Sequence, residues 1–204
     1  MIGIFTALFL IKLVSGFDTN LPYSAFNECK EYRVDGQYVY KDSFNIHGLK
    51  NNRPYDNEVF RMKFYVLTDR DANIMISNER KVQNNDNAYE IVIGGWNNTK
   101  STIRKNKFSV EVVEKLGSVL SALYPTEIVI SLKQDGELTV ILPGYERPYL
   151  NFKDTKASAW TYLGFSSWEN TPARWFYDCP LGIDGPGGND INTIFANIDI
   201  RVSN

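Results

Sequence analysis

The chain of 204 residues has one histidine and two cysteines, and its formal net charge is −2. The single histidine, His47, stands in a polar stretch. It leaves no histidine pair for a zinc site and no evident partner for a general base. Two cysteines are too few for a metal cluster. The small net charge gives no electrostatic footprint for nucleic acid or for an anionic membrane surface. Long apolar runs are also missing. The longest, within residues 1–16, is too short to span a bilayer, so no membrane span is expected. No helical period is sustained along the chain. Only Glu114–Tyr124 approaches one, through Leu116, Leu120 and Leu123, and Gly117 weakens it.

What is present is aromatic and β-patterned. Phe, Trp and Tyr make up 14% of the chain. Phe60, Met62, Phe64 and Val66 alternate along one strand. Ile128, Ile130 and Leu132 alternate into the turn Asp135-Gly136, and Leu138, Val140 and Leu142 alternate out of it. A second hairpin is expected over Glu31–Phe44 about Asp35-Gly36. Short strands are expected at Ile74–Ile76, Phe108–Val113, Trp160–Phe165, Arg174–Tyr177 and Thr193–Val202. Short strands at this spacing predict an all-β fold with little helix, an antiparallel β-sandwich of jelly-roll or concanavalin-like type.

Residues 1–16, MIGIFTALFLIKLVSG, read as a signal peptide cleaved before Phe17, although no Lys or Arg opens the segment. Residues 17–204 then form one secreted domain. In an oxidising compartment Cys29 and Cys179 have one intramolecular pairing, and a disulfide between them is expected.

The organising stretch is Tyr89–Arg104, YEIVIGGWNNTKSTIR. Tyr89, Ile91 and Ile93 fall on one strand face, with Glu90 and Val92 on the other. Gly94-Gly95 should bend the strand so that Trp96 and Asn97 leave the sheet together. Arg104 should return beside that corner, where its guanidinium could pair with a carboxylate or a ligand oxygen. These residues resemble the signature of the farnesoic acid O-methyltransferase domain, common in arthropod proteins and usually close to YEIVIGGWGNTKSVIR. This chain has Asn97 in place of the usual Gly, and Thr102 where Val is frequent. The resemblance continues through VILPGYERPYLNF and YLGFSSWENTPARWF and covers roughly residues 58–179. It implies methyl transfer from S-adenosylmethionine to a juvenile-hormone precursor.

The residues themselves point elsewhere. The usual S-adenosylmethionine site is a glycine-rich turn between a parallel strand and a helix. Neither Gly94-Gly95 nor Gly185–Gly188 has that setting, so no cofactor and no catalytic residue is expected. Glu90 and Glu137 are candidates for paired carboxylates, but surface placement is the plainer expectation. Asp69, Asp71 and Asn73 alternate as an oxygen-rich run, and Asn84–Asn87 make another. Such runs make turns more often than calcium sites, and no metal ligand is assigned. Trp160 and Trp175 are expected in the core. Trp96, Asn97, Asn98 and Arg104 form the best ligand-binding cluster, an aromatic face beside groups that bind hydroxyls. The expected function is non-catalytic binding of a small molecule or glycan. The alternative is an enzyme or terpenoid-binding protein of juvenile-hormone metabolism. Asn97-Asn98-Thr99 is also a glycosylation sequon, with Asn97 as acceptor.

Overall fold

Alternation with period two builds most of this molecule. In the strand Glu58–Thr68 (β3), Phe60, Met62, Phe64 and Val66 are buried, while Val59 is exposed and Arg61 and Lys63 are half-buried. The computed structural model describes residues 26–81, 88–105, 110–155 and 160–180. Two six-stranded sheets result. One runs β1 (Lys30–Val34), β12 (Ala173–Tyr177), β3, β8 (Ser121–Lys133), β9 (Glu137–Ile141), β10 (Leu150–Lys153). The other runs β2 (Phe44–Asn45), β11 (Tyr162–Ser167), β4 (Ala72–Ser77), β5 (Ala88–Gly94), β6 (Lys100–Lys105), β7 (Val110–Leu116). Every pairing among the described strands is antiparallel. The chain is therefore an antiparallel β-sandwich.

The core lies between the sheets. Phe60, Met62, Phe64, Ile128 and Ile130 meet Ile74, Ile76, Ile91, Ile93 and Phe165 there. Trp160 and Trp175 are both in this core, as expected, and the Trp175 ring stacks on Phe165 at 4.7 Å. The β8–β9 hairpin turns at Asp135-Gly136, where Gly136 has φ 84°, a left-handed value that glycine adopts without steric cost.

Two segments depart from the sequence expectation. Glu31–Phe44 is not a hairpin. β1 and β2 belong to different sheets, and the chain between them crosses from one sheet to the other. Tyr38 and Tyr40, which look like strand residues, instead send their hydroxyls to Glu90 on β5. Glu114–Tyr124 resolves as strand, turn, strand. β7 ends at Leu116 and β8 begins at Ser121, with Leu120 buried but Leu116 and Leu123 exposed. The three leucines fall at the end of one strand, in the turn and in the next strand, not on one helix face. His47 is exposed on the short turn Ile46–Gly48. The expected signal peptide, Asn84–Asn87, Gly185–Gly188 and the strand Thr193–Val202 lie outside the described residues. No helix among the described residues is long and apolar enough to cross a membrane.

Cys29 and Cys179 are joined in a disulfide. It lies just outside the paired ends of β1 and β12, and Cys179 packs with Phe26, Tyr65 and Phe176. The bond closes a loop with a sequence separation of 150 residues. Reducing it should cost about 3–5 kcal/mol of stability through the regained freedom of the unfolded chain. Urea melts with and without reductant should show a lower midpoint for the reduced protein; coincident curves would refute that contribution.

Candidate functional site

The site is built on the outer face of the second sheet. β4 and β5 are central strands buried on both faces. Their inward residues join the core, and their outward residues form two rungs across the sheet. One rung reads Gly164, Met75, Glu90, Arg104; the other reads Ser166, Asn73, Val92, Thr102. The segment between β1 and β2 lies across this face. Ser166 Oγ donates to the carbonyl of Gln37 at 3.3 Å. A Cβ at Gly164 would stand 3.1 Å from the Asp42 carbonyl and 3.3 Å from the Tyr40 ring, so the absent side chain is what admits the segment.

Glu90 is the centre of the arrangement. It is 0% exposed, which overturns its expected place as a surface carboxylate. Tyr38 Oη donates to its carboxylate at 2.7 and 2.8 Å, and Tyr40 Oη donates at 2.6 Å. Arg104, directly opposite on β6, donates at 3.3 Å. A buried carboxylate without such partners would be strongly unfavourable. Burial pushes the Glu90 carboxyl above the usual glutamate range, opposed by Tyr40, Tyr38 and Arg104. Burial, followed by the charge of Glu90, raises both tyrosines, which keeps them protonated as donors. Glu137 lies in the other sheet and pairs with Lys133 and Asn151, so the two glutamates do not form a pair.

The corner after β5 has an unusual backbone. Gly94 has φ 57°, and Gly95–Asn98 form a single turn in which Trp96, Asn97 and Asn98 have φ of 50°, 64° and 61°. Left-handed conformation costs roughly 1–2 kcal/mol per residue in an L-chain, less for Asn than for Trp. The usual glycine at position 97 and the asparagine here answer the same demand. Neighbouring groups hold the turn. The Asp71 N–H donates to the Gly94 carbonyl at 2.8 Å, and the Asp71 carboxylate accepts the Trp96 N–H. Asn98 Oδ1 accepts the N–H groups of Val119 and Leu120 at 3.0 and 3.1 Å, and its Nδ2 donates to the Leu120 carbonyl at 2.9 Å.

Between this corner and the turn after β11 is a cavity of about 630 Å³. Trp96 and Trp168, the two exposed tryptophans, both line it. Arg70, Asp71, Arg104 and Glu169 supply charged walls, and Tyr38, Asn73, Val92 and Asn97 complete it. Trp96 is held by cations, with Lys100 Nζ 3.8 Å and the Arg104 guanidinium 5.0 Å from its ring centre. Trp168 packs on the Tyr38 ring at 4.9 Å. Asn73 is 2% exposed, and its Oδ1 has no hydrogen-bond partner among the described residues.

Of the four residues singled out in the sequence, Trp96, Asn97 and Arg104 line the cavity. Asn98 does not, because its amide is spent on the β7–β8 turn. Sequence reasoning left out Tyr38, Trp168 and Glu169 as wall residues. Asp71 and Asn73 were visible only as an alternating oxygen-rich run. No group of three or more His, Cys, Asp or Glu among the described residues could hold a metal ion.

The farnesoic acid O-methyl transferase family model matches residues 34–181. The chain belongs to that family. No curated protein matches the sequence. Among solved structures the chain is similar to a native glycosidic hydrolase, with a TM-score of 0.39 and 12% identity over 58% of this chain and 61% of that one. It is also similar to the Ca²⁺/Man-bound exoplasmic/lumenal domain of VIP36, with a TM-score of 0.42 and 8% identity over 72% and 82%. The carbohydrate recognition domain of Emp47p gives a TM-score of 0.43 and 9% identity over 76% and 90%. The family name implies S-adenosylmethionine, and the residues do not fit its usual site. Gly94-Gly95 lead into a short turn in which Trp96, Asn97 and Asn98 are left-handed, and then into an antiparallel strand, so there is no helix N-terminus here to receive the cofactor.

Two outcomes follow. Gly94→Val places a branched side chain at φ 57°, where even a Cβ would lie 2.6 Å from Leu120 and 2.7 Å from Asn98. It should cost about 2–4 kcal/mol, and a melt matching the parent would remove the corner from its organising role. Glu90 binds its proton more tightly folded than unfolded, so its contribution to stability is largest below the ordinary glutamate pKa. That contribution falls as pH rises through the raised folded value. The melting temperature of the parent minus that of Glu90→Gln should therefore decrease between pH 4 and 7. A constant or rising difference would contradict this.

Proposed function

We propose that this chain is a secreted, non-catalytic binding domain whose ligand is a saccharide seated in the cavity beside Trp96 and Trp168. The observation that carries this reading is the pairing of two exposed indoles with polar walls in one cavity. Sugar rings present apolar C–H faces that stack on indoles and hydroxyl edges that take hydrogen bonds. A volume near 630 Å³ falls within the range of about 300–1,000 Å³ typical of small-ligand sites. The disulfide supports an oxidising compartment. Asn97 is exposed at the cavity edge and heads the sequon Asn97-Asn98-Thr99; a glycan there would compete with the ligand for that edge, so the reading applies to protein unglycosylated at Asn97.

The family name favours a second reading, in which the ligand is a terpenoid acid and the protein methylates or carries it. A farnesyl chain calls for a continuous apolar channel, whereas here Val92, the two indoles and the Tyr38 ring are interrupted by Arg70, Asp71, Asn73, Asn97, Arg104 and Glu169. A glycan array followed by calorimetry tests the first reading, with farnesoic acid and S-adenosylmethionine titrated in parallel. Saccharide binding without either of the others is expected; methyl ester formation would overturn the proposal. Trp168→Ala should weaken the bound glycan at least about tenfold, while its half-exposed site leaves the melt nearly unchanged. Unaltered affinity would place the ligand elsewhere.

A further inference from the structure

We infer that the cavity selects an uncharged sugar ring and that Asn73 is the residue that reads one of its hydroxyls; this rests on the saccharide reading above. The first ground is the state of the charged walls. Arg70 is paired with Asp69 at 3.2 Å and Asp71 at 3.7 Å. Arg104 is paired with Glu90 at 3.3 Å and Glu111 at 3.7 Å. Both arginines that reach the cavity therefore already face carboxylates. An incoming carboxylate or phosphate would compete with two acids at each arginine and meet Glu169 on the same wall. Breaking the Arg104 pair would also leave Glu90 buried with less compensation. The site repels anions more than it attracts them.

The second ground is Asn73. It sits on β4 in the rung between Ser166 and Val92, it lines the cavity, and its Oδ1 is buried without a partner among the described residues. A buried polar atom of this kind carries a desolvation penalty that a ligand can relieve. A sugar hydroxyl suits it, because a hydroxyl donates to an amide oxygen and accepts from an amide N–H, and so serves either orientation of the side chain. An ionised carboxylate has no proton to give to Oδ1. A site that hydrogen-bonds a ligand hydroxyl discriminates strongly against the analogue that lacks it.

The test uses matched oligosaccharides that differ only in the terminal residue, a neutral hexose or the corresponding uronic acid, titrated into the full protein. The neutral member should bind at least about tenfold more tightly. A deoxy series of that hexose should contain one position whose loss lowers affinity about tenfold on the parent protein. The same loss should have little effect on Asn73→Ala. The Asn73→Ala melt should match or exceed the parent, because an unsatisfied buried group has been removed. Equal or tighter binding of the uronic acid overturns this inference and leaves the saccharide reading standing. So does a deoxy series with no sensitive position, a result that does not depend on the variant folding. Failure of every saccharide to bind defeats the saccharide reading itself.

Discussion

A single buried carboxylate holds the site together. Glu90 ties two separate stretches of chain to its own strand: the crossing segment, through Tyr38 and Tyr40, and the neighbouring strand, through Arg104. The ties reach both indoles. Arg104 lies against Trp96, and Tyr38 lies against Trp168. The charge of Glu90 is tolerated only because those partners surround it, and they are in turn oriented by it. Loss of any one partner leaves a charge in a dry place, so the cluster enforces its own geometry.

The backbone carries a matching constraint. Three consecutive non-glycine residues in left-handed conformation are costly, and such strain persists only where surrounding groups fix it. Asp71 grips the corner from one side and Asn98 from the other. The corner therefore presents Trp96 and Asn97 to the cavity as a rigid unit. Membership of the farnesoic acid O-methyl transferase family and an antiparallel sandwich coexist here. The family name describes a chemistry, whereas the arrangement around Gly94-Gly95 lacks the parallel strand and helix on which the usual methyl-donor site depends.

Much of this protein was legible from its residues. Period-two alternation gives β3 and the β8–β9 hairpin, because one buried face and a glycine turn suffice to specify them. The burial of β5, the glycine bend and the return of Arg104 close to that corner also follow from local pattern. The cysteine pair and the core tryptophans follow from count and context. What local pattern could not show is where the chain between β1 and β2 travels. Tyr38 and Tyr40 alternate like hairpin residues, and nothing near them in sequence is the acceptor they need. Glu90 is 52 and 50 residues away. For the same reason a carboxylate that reads as surface becomes the most buried charge of the site, and Asn98 turns away to a loop 21 residues later. Strand periodicity assigns a residue to a face. Only the packing of distant segments onto that face determines whether it meets water, a partner or an open cavity.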